Sequence, residues 1–426
     1  MNPSRFMSWS MWAVAVLFFA YQFVMRVAPG LVMPDLMQKF QIDATSFGLF
    51  ASMYYFAYAG MQIPVALLLD RYGPKKVISI CTLLCAAGTV LLVYTNYWPL
   101  ALLSRFLIGA GSAAGFLGAS KIISLYFPKN MYTKMVGLTF TFGLIGALYG
   151  GKPVGSLIGV FGWEKVLLLV GVLGFAMAAL VYFVVKDPKT PEDVPANSTL
   201  SSLKEIVCDK RLLTIAIANL LMVGALEGFA DVWGVSYLAI TRGITKENAA
   251  LLTSTIFFGM LFGGPLLAYV ADKVKSDYLV TSFSGLCMAG IFVLILTFNQ
   301  SLNVLALYGL MFTVGVFCCY QVLVFSMGVK LVPAHLAGMT VAFLNCINML
   351  GGSFFHSVIG TLMDLFWKGG FKDSLKVYDV SAYTSALTVI PIAAVIGSFC
   401  FVLLMKRAKL KSVGEGFGNS LPAAVN

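Results

Sequence analysis

Ala66-Leu67-Leu68-Leu69-Asp70-Arg71-Tyr72-Gly73-Pro74-Lys75-Lys76 is the stretch on which the fold turns. It closes one long apolar segment and precedes another. An acidic residue beside a basic one, followed by a glycine turn and two lysines, suits a tight loop whose charges stand at helix ends, where they can pair. A weaker copy, Ala268 to Ser276 with Asp272-Lys273 inside it, follows 202 positions later. One such loop alone says little. Two at corresponding places predict a chain made of two matched halves.

The composition has the same sense. Of 426 residues, 59% are hydrophobic, 14% aromatic and 11% charged, with a mean hydropathy of +0.89. These values exclude a water-soluble chain and require an integral membrane protein. Twelve apolar stretches are long enough to cross a hydrocarbon core of roughly 30 Å. They lie near 9–32, 46–69, 77–95, 98–126, 135–161 and 163–185 in the first half, and near 211–239, 248–271, 278–297, 302–327, 338–365 and 382–405 in the second. Lipid cannot satisfy an open sheet edge, so all twelve are expected to be helices. The first is too long for a signal h-region and lacks a small-residue cleavage site, which makes it a retained helix.

Lys and Arg set the expected orientation. With both termini in the cytoplasm, 18 of the 29 basic residues fall on the inner side and 7 on the outer. Arg26, Arg105, Lys121 and Lys152 lie within spans. The net charge of +11 is then a mark of topology and of anionic lipid at the membrane surface, not of nucleic acid. The expected domains are a first six-helix bundle over 1–186, a cytoplasmic linker over 187–210 containing Pro188, Pro191 and Pro195, a second bundle over 211–407, and a disordered cytoplasmic tail over 408–426. Seven of the eight cysteines sit inside spans and Cys208 in the linker. None has metal-site spacing, so they read as small core residues and no metal or cofactor is expected.

Small residues recur on particular helices: Gly109, Gly111 and Gly115 after Arg105 on the fourth, Gly143, Gly146, Gly150, Gly151 and Pro153 on the fifth, and Gly351, Gly352 and Gly360 on the eleventh, with Asn348 and Asp364. At helical spacing they let two backbones approach closely, for packing or for sliding contacts. With the Asp70-Arg71-Tyr72-Gly73 loop and Gly162-Trp163, these motifs resemble those of the major facilitator superfamily over essentially the whole chain. Ala66 and Pro74 depart from the usual loop motif, as do Ala268 and Lys275 in its second copy. The resemblance implies an all-α membrane fold of 12 transmembrane helices in two pseudo-symmetric six-helix bundles. It also implies alternating access, with gating by Asp70, Arg71, Gly73, Asp272 and Lys273.

Ionisable side chains inside apolar spans mark function or obligatory pairing, because each costs several kcal/mol unless it faces a cavity or a partner. Arg26 on helix one, Arg105 on helix four and Lys152 on helix five stand against Glu227 and Asp231 on helix seven. Glu227 and Asp231 are four apart, as are Gln22 and Arg26, so each pair shares a face. Carrying Arg26 forward by the repeat offset lands beside Glu227. In the resembled fold helices one, four, seven and ten line the central cavity. The expected substrate site is therefore Arg26 with Gln22, Tyr58, Arg105, Lys152, Gln321, Asn345 and Asn348, and the expected proton-coupling residues are Glu227, Asp231 and His356. A structural Arg26–Glu227 pair, core packing of Tyr54, Tyr55 and Tyr58, and a satisfied core histidine are the plainer readings.

The functional expectation is a monomeric secondary transporter in a bacterial cytoplasmic (inner) membrane. It would move a small polar anion or zwitterion (an amino acid or peptide, a carboxylate or a siderophore) by proton symport. A proton-antiport exporter of drugs or siderophores is the competing reading. No nucleotide loop, paired metal-spaced His or nucleophile elbow supports an enzyme.

Overall fold

The structure, a computed structural model, describes residues 4–187, 204–333, 336–372 and 375–418. Among the described residues, eleven helical runs are long and apolar enough to cross a membrane. One of them, Ala44–Tyr94, is two spans joined at Gly73, whose φ of 81° and ψ of 163° break the helix. The spans are α1 (Arg5–Phe40), α2 (44–72), α3 (74–94), α4 (Trp98–Tyr126), α5 (Lys134–Phe161) and α6 (Trp163–Val184) in the first bundle. The second holds α7 (Lys210–Arg242), α8 (Lys246–Val274), α9 (Asp277–Phe298), α10 (Val304–Lys330), α11 (Ala337–Leu365) and α12 (Val380–Arg407). Helical backbone continues from α12 to Gly418, past the expected end of the last span. Most of the expected linker, 188–203, lies outside the described residues, as do residues 419–426 of the expected tail.

Large apolar side chains point away from the protein, Leu305 at 80% and Phe183 at 79% exposure among them. In water such a surface would aggregate; in hydrocarbon it is the expected exterior. The two loop motifs share one backbone feature and differ in another, with ψ at 163° for Gly73 and 34° for Lys275. Gly73 and Lys275 both take positive φ, the second at 54°, and each ends one span just before the next. At Gly73 an added Cβ would run into the Asp187 carboxylate, which accepts from the Lys75 backbone N–H at 2.8 Å. Glycine is required there for space as well as for conformation.

Twelve crossings return the chain to one face, so the starts of α1 and α7 and the end of α12 share a terminal face, opposite a far face. The bundles meet most closely toward the far face, where α1 crosses α7, α2 crosses α11 and α5 crosses α8. Glycines permit this approach. A Cβ on Gly30 of α1 would lie 2.8 Å from the Val232 carbonyl of α7, and one on Gly48 of α2 would collide with the His356 carbonyl of α11.

Polar bonds secure the same seam. Asp35 and Lys246 pair at 2.8 Å between α1 and α8. At the end of α11, Asp364 accepts from the Thr45 N–H at 2.7 Å and the Thr45 hydroxyl at 2.6 Å, both from the start of α2. Lys376 at 2.7 Å and the Tyr378 hydroxyl at 2.6 Å also donate to Asp364. The Tyr378 hydroxyl in turn accepts from the Ala44 N–H at 2.9 Å. A two-strand turn, β1 (Phe371–Lys372) against β2 (Leu375–Lys376), brings these residues back over the bundle interface. Nearer the terminal face the contacts between bundles are neutral and longer: Asn345 Nδ2 to Gln62 Oε1 at 3.3 Å and the Cys346 thiol to the Ala59 carbonyl at 3.4 Å.

Candidate functional site

Pro29 in α1 has no N–H, so the carbonyl of Met25, four residues earlier, loses its helical partner. Arg105 of α4 supplies one. Its Nη1 donates to the Met25 carbonyl at 2.7 Å and its Nη2 to the Arg26 carbonyl at 3.1 Å. The guanidinium lies over the Tyr54 ring at 4.6 Å and the residue is 1% exposed. Arg105 thus braces the α1 backbone at the residue whose side chain forms the centre of the site, and makes no ion pair among the described residues.

That side chain is Arg26, 7% exposed. Its Nη2 donates to Glu227 Oε2, and its Nε to Asp231 Oδ2 at 2.6 Å. The Tyr55 hydroxyl of α2 donates to the same Asp231 oxygen, and the Arg26 guanidinium sits 5.3 Å from the Tyr55 ring centroid. One cation therefore meets two carboxyl side chains across the bundle interface. Burying these groups costs several kcal/mol per ion, offset only while all partners are in place. Such a cluster is a sensitive balance more than a source of stability.

Both carboxylates lie on Gly224–Trp233, a π-helical segment inside α7. π-Helical turns are rare and concentrate at functional sites. Gly224 and Gly228 make room there for Phe355 and Ile359 of α11, where a Cβ on Gly224 would meet the Phe355 ring at 2.6 Å and one on Gly228 would lie 3.2 Å from Phe355. Pro29-Gly30 of α1, which stays α-helical, and the π segment of α7 face each other across the interface, with a Cβ on Gly30 lying 2.8 Å from the Val232 carbonyl.

The remaining expected residues divide. Gln22 accepts from the Tyr54 hydroxyl at 2.5 Å, one turn from Arg26. Asn348 accepts from Asn219 Nδ2 at 2.8 Å within the second bundle, while Asn345 reaches Gln62 across the interface. Tyr58 is buried against Tyr54, with ring centroids 6.0 Å apart. Gln321 is half-buried with no bond to its Nε2 among the described residues, and both ring nitrogens of fully buried His356 are likewise without partners there, 5.1 Å ring to ring from Tyr55. Lys152 does not join the cluster: it is exposed where α5 resumes after Gly151.

Of the expected gating residues, Asp70 pairs with Lys121 of α4 at 2.9 Å. Arg71 lies over its neighbour Tyr72, Lys273 over Tyr269, and Asp272 is exposed. Among the described residues no group of three or more His, Cys, Asp or Glu could hold a metal ion.

The sequence offers Tyr55 as a possible polar site residue, with packing the better reading for it and for Tyr54, and does not single out Asn219 or the π segment. The run Gly224, Gly228, Gly234 was the available signal for the last. Nothing in the sequence separates Tyr55 from its tyrosine neighbours.

Comparison with known proteins identifies the class. The family model described as Major Facilitator Superfamily matches residues 11–356, and the chain belongs to that family of transporters. It is 26% identical over 373 residues to the uncharacterized transporter YybO of Bacillus subtilis, covering 80% of this chain and 84% of that protein. It is 24% identical to the probable sulfoacetate transporter SauU of Cupriavidus necator, covering 61% and 64%. Against the probable galactarate/D-glucarate transporter GarP of Escherichia coli K12 it is 23% identical, covering 63% and 67%. The solved nucleoside transporter NupG superimposes with a TM-score of 0.73 at 14% identity, over 94% of this chain and 99% of that one, a likeness of fold alone.

Proposed function

We propose that the protein is a proton-coupled symporter that carries a small organic anion across the cytoplasmic membrane, with both termini in the cytoplasm. The observation that carries this reading is Arg26 held between Glu227 and Asp231 across the bundle interface. A substrate carboxylate or sulfonate needs that guanidinium, and so do the two carboxylates of α7. When the anion takes Arg26, Glu227 and Asp231 are left buried without a countercharge, a state relieved by taking up a proton. Substrate and proton then travel together. Gln22, Tyr58, Gln321, Asn345 and Asn348 are the hydrogen-bonding groups proposed to orient the rest of the ligand, with Arg105 holding α1 in shape beneath them. SauU and GarP, named for small organic anions, support the substrate class. The lysine and arginine count supports the orientation, which makes the tightly closed far face the outer one and the conformation inward-facing.

The test is a thermal-shift screen of the purified protein against amino acids, carboxylates, sulfonates, sugar acids and siderophores, repeated with Arg26→Gln. A ligand well above its dissociation constant raises the melting temperature. Anionic hits that vanish in Arg26→Gln are expected. Hits confined to lipophilic cations and indifferent to Arg26 would refute the reading and favour an exporter. In proteoliposomes, Glu227→Gln with Asp231→Asn should abolish proton-driven accumulation of the hit while leaving its exchange.

A further inference from the structure

Asp231 uses one oxygen for the whole of its ionic duty. Oδ2 accepts from Arg26 and from Tyr55, while Oδ1 is buried with no hydrogen-bond partner among the described residues. Asp231 also lines a small pocket where α1, α5, α7 and α8 meet, together with Thr253, Ser254, Gly150 and Gly151. Thr253 donates its hydroxyl hydrogen to the Ala250 carbonyl at 3.0 Å, so its oxygen lone pairs remain to accept. Ser254 stands so close to Gly151 that any Cβ there would collide with its hydroxyl, which fixes the pocket's wall by the absence of a side chain. The space suits about one water molecule with polar groups on several sides.

A second, roomier pocket lies on the same seam toward the far face. Asp35, Lys246, Glu247 and Trp163 line it with Gly155 and Gly159. Leu31 belongs to both linings. It is 2% exposed, and a Cβ on Gly155 would lie 3.2 Å from its Cδ2. A polar vestibule, one leucine side chain and a polar pocket ending at a free carboxylate oxygen thus follow one another along the α1, α5 and α8 seam.

We propose that this seam is a proton route from the outer face to Asp231, separate from the substrate's path and plugged by Leu31. In it, a hydronium in the vestibule passes a proton to a water in the inner pocket. That water gives one of its protons to Asp231 Oδ1, forming the O–H bond there and returning as neutral water. The inner pocket offers one carboxylate oxygen and two hydroxyls, short of the six or so oxygens that a hard metal cation takes, so its ligand is water carrying a proton. The proposal deepens the symport reading, because it says how the coupling carboxylate is reached while Asp364 and Tyr378 hold the outer gate shut.

The experiment needs no substrate, so failure of the anion assignment leaves it intact. Full-length protein is reconstituted into liposomes enclosing the pH dye pyranine, and a valinomycin-set potassium potential draws protons inward. Leu31→Ala should acidify the lumen at least tenfold faster than the unsubstituted protein. Adding Asp231→Asn, or Ser254→Val to fill the inner pocket, should return the rate to the starting level. A well-folded Leu31→Ala that does not accelerate, or an acceleration that survives Asp231→Asn, overturns the route. A luminal sodium dye responding in place of pyranine overturns the choice of proton. Should Leu31→Ala not assemble, Ser254→Cys in the milder Leu31→Val background is treated with a small cationic thiosulfonate from outside. Labelling above the parent's own cysteines is expected, and its absence counts against the route.

Discussion

Asp364 is the residue whose loss should most change which way the carrier faces. It receives two hydrogen bonds from Thr45 of the other bundle, at 2.7 and 2.6 Å, and its side chain is 13% exposed. Bonds to a buried or half-buried carboxylate contribute about 1.5 kcal/mol each at the low end, so Asp364→Ala removes about 3 kcal/mol from the closed far-face gate. At about 1.4 kcal/mol per tenfold, the population with that gate open rises by on the order of a hundredfold. Spin labels on Asn96 and Ser301, exposed far-face positions in the two bundles, report it as a new long-distance component in double electron–electron resonance. Asp364→Asn, which keeps an acceptor and loses the charge, should give a smaller shift. The hydrogen bond to Asp364 holds the Lys376 ammonium above its ordinary value of 10.5. A raised lysine stabilises the state that binds it at every pH below its ordinary range and loses that effect only above it, so the distances should not change across neutral pH. Unaltered distances in Asp364→Ala would refute the assignment of this carboxylate as the latch.

Three further outcomes follow from contacts at the site. Arg105→Lys keeps the charge and loses the fork, leaving the Met25 or Arg26 carbonyl without a donor. Its melting temperature should fall by the equivalent of about 1–3 kcal/mol, and equal stability would show that the brace is dispensable. Gly48→Ala puts a Cβ into the His356 carbonyl, so it should populate a state with the far face open in the same spin-label assay, whereas an unchanged closed state would mean the helices can yield. Tyr55→Phe removes one donor to Asp231. It should weaken substrate-driven proton uptake more than substrate exchange, and equal losses in both would make Tyr55 a packing residue after all.

Much of the fold was legible because lipid imposes it. Spans, their number and the doubled loop at Asp70 and Asp272 all come from hydropathy and spacing, and Lys275 keeps the positive φ of Gly73 without being glycine. The Arg26, Glu227 and Asp231 cluster was legible too, since a charge in a span demands a partner and the repeat offset says where to look. Arg105 was less so. Its partner is a carbonyl freed by Pro29, and backbone acceptors leave no trace in side-chain patterns. Lys152 was expected in the site but is exposed after Gly151, apart from the Arg26 cluster, because depth along a helix does not reveal which residues a side chain will meet. The Thr45, Asp364 and Tyr378 latch joins residues over 300 positions apart in the chain, one of them on a loop with no regular period. Only the packed structure brings these together.

The wide turns of Gly224–Trp233 have one more consequence. A π turn closes its hydrogen bond one residue later than an α turn, so α7 carries spare length at the depth where it presents Glu227 and Asp231. Deleting one residue from an ordinary spanning helix swings every later side chain by about 100° and ruins its packing. Deleted from 224–233, one residue can be absorbed as wide turns tighten to α spacing, leaving the flanks in register. Single-residue differences in length among related carriers should therefore concentrate in this segment, where they move one carboxylate relative to the other without disturbing the rest of the bundle.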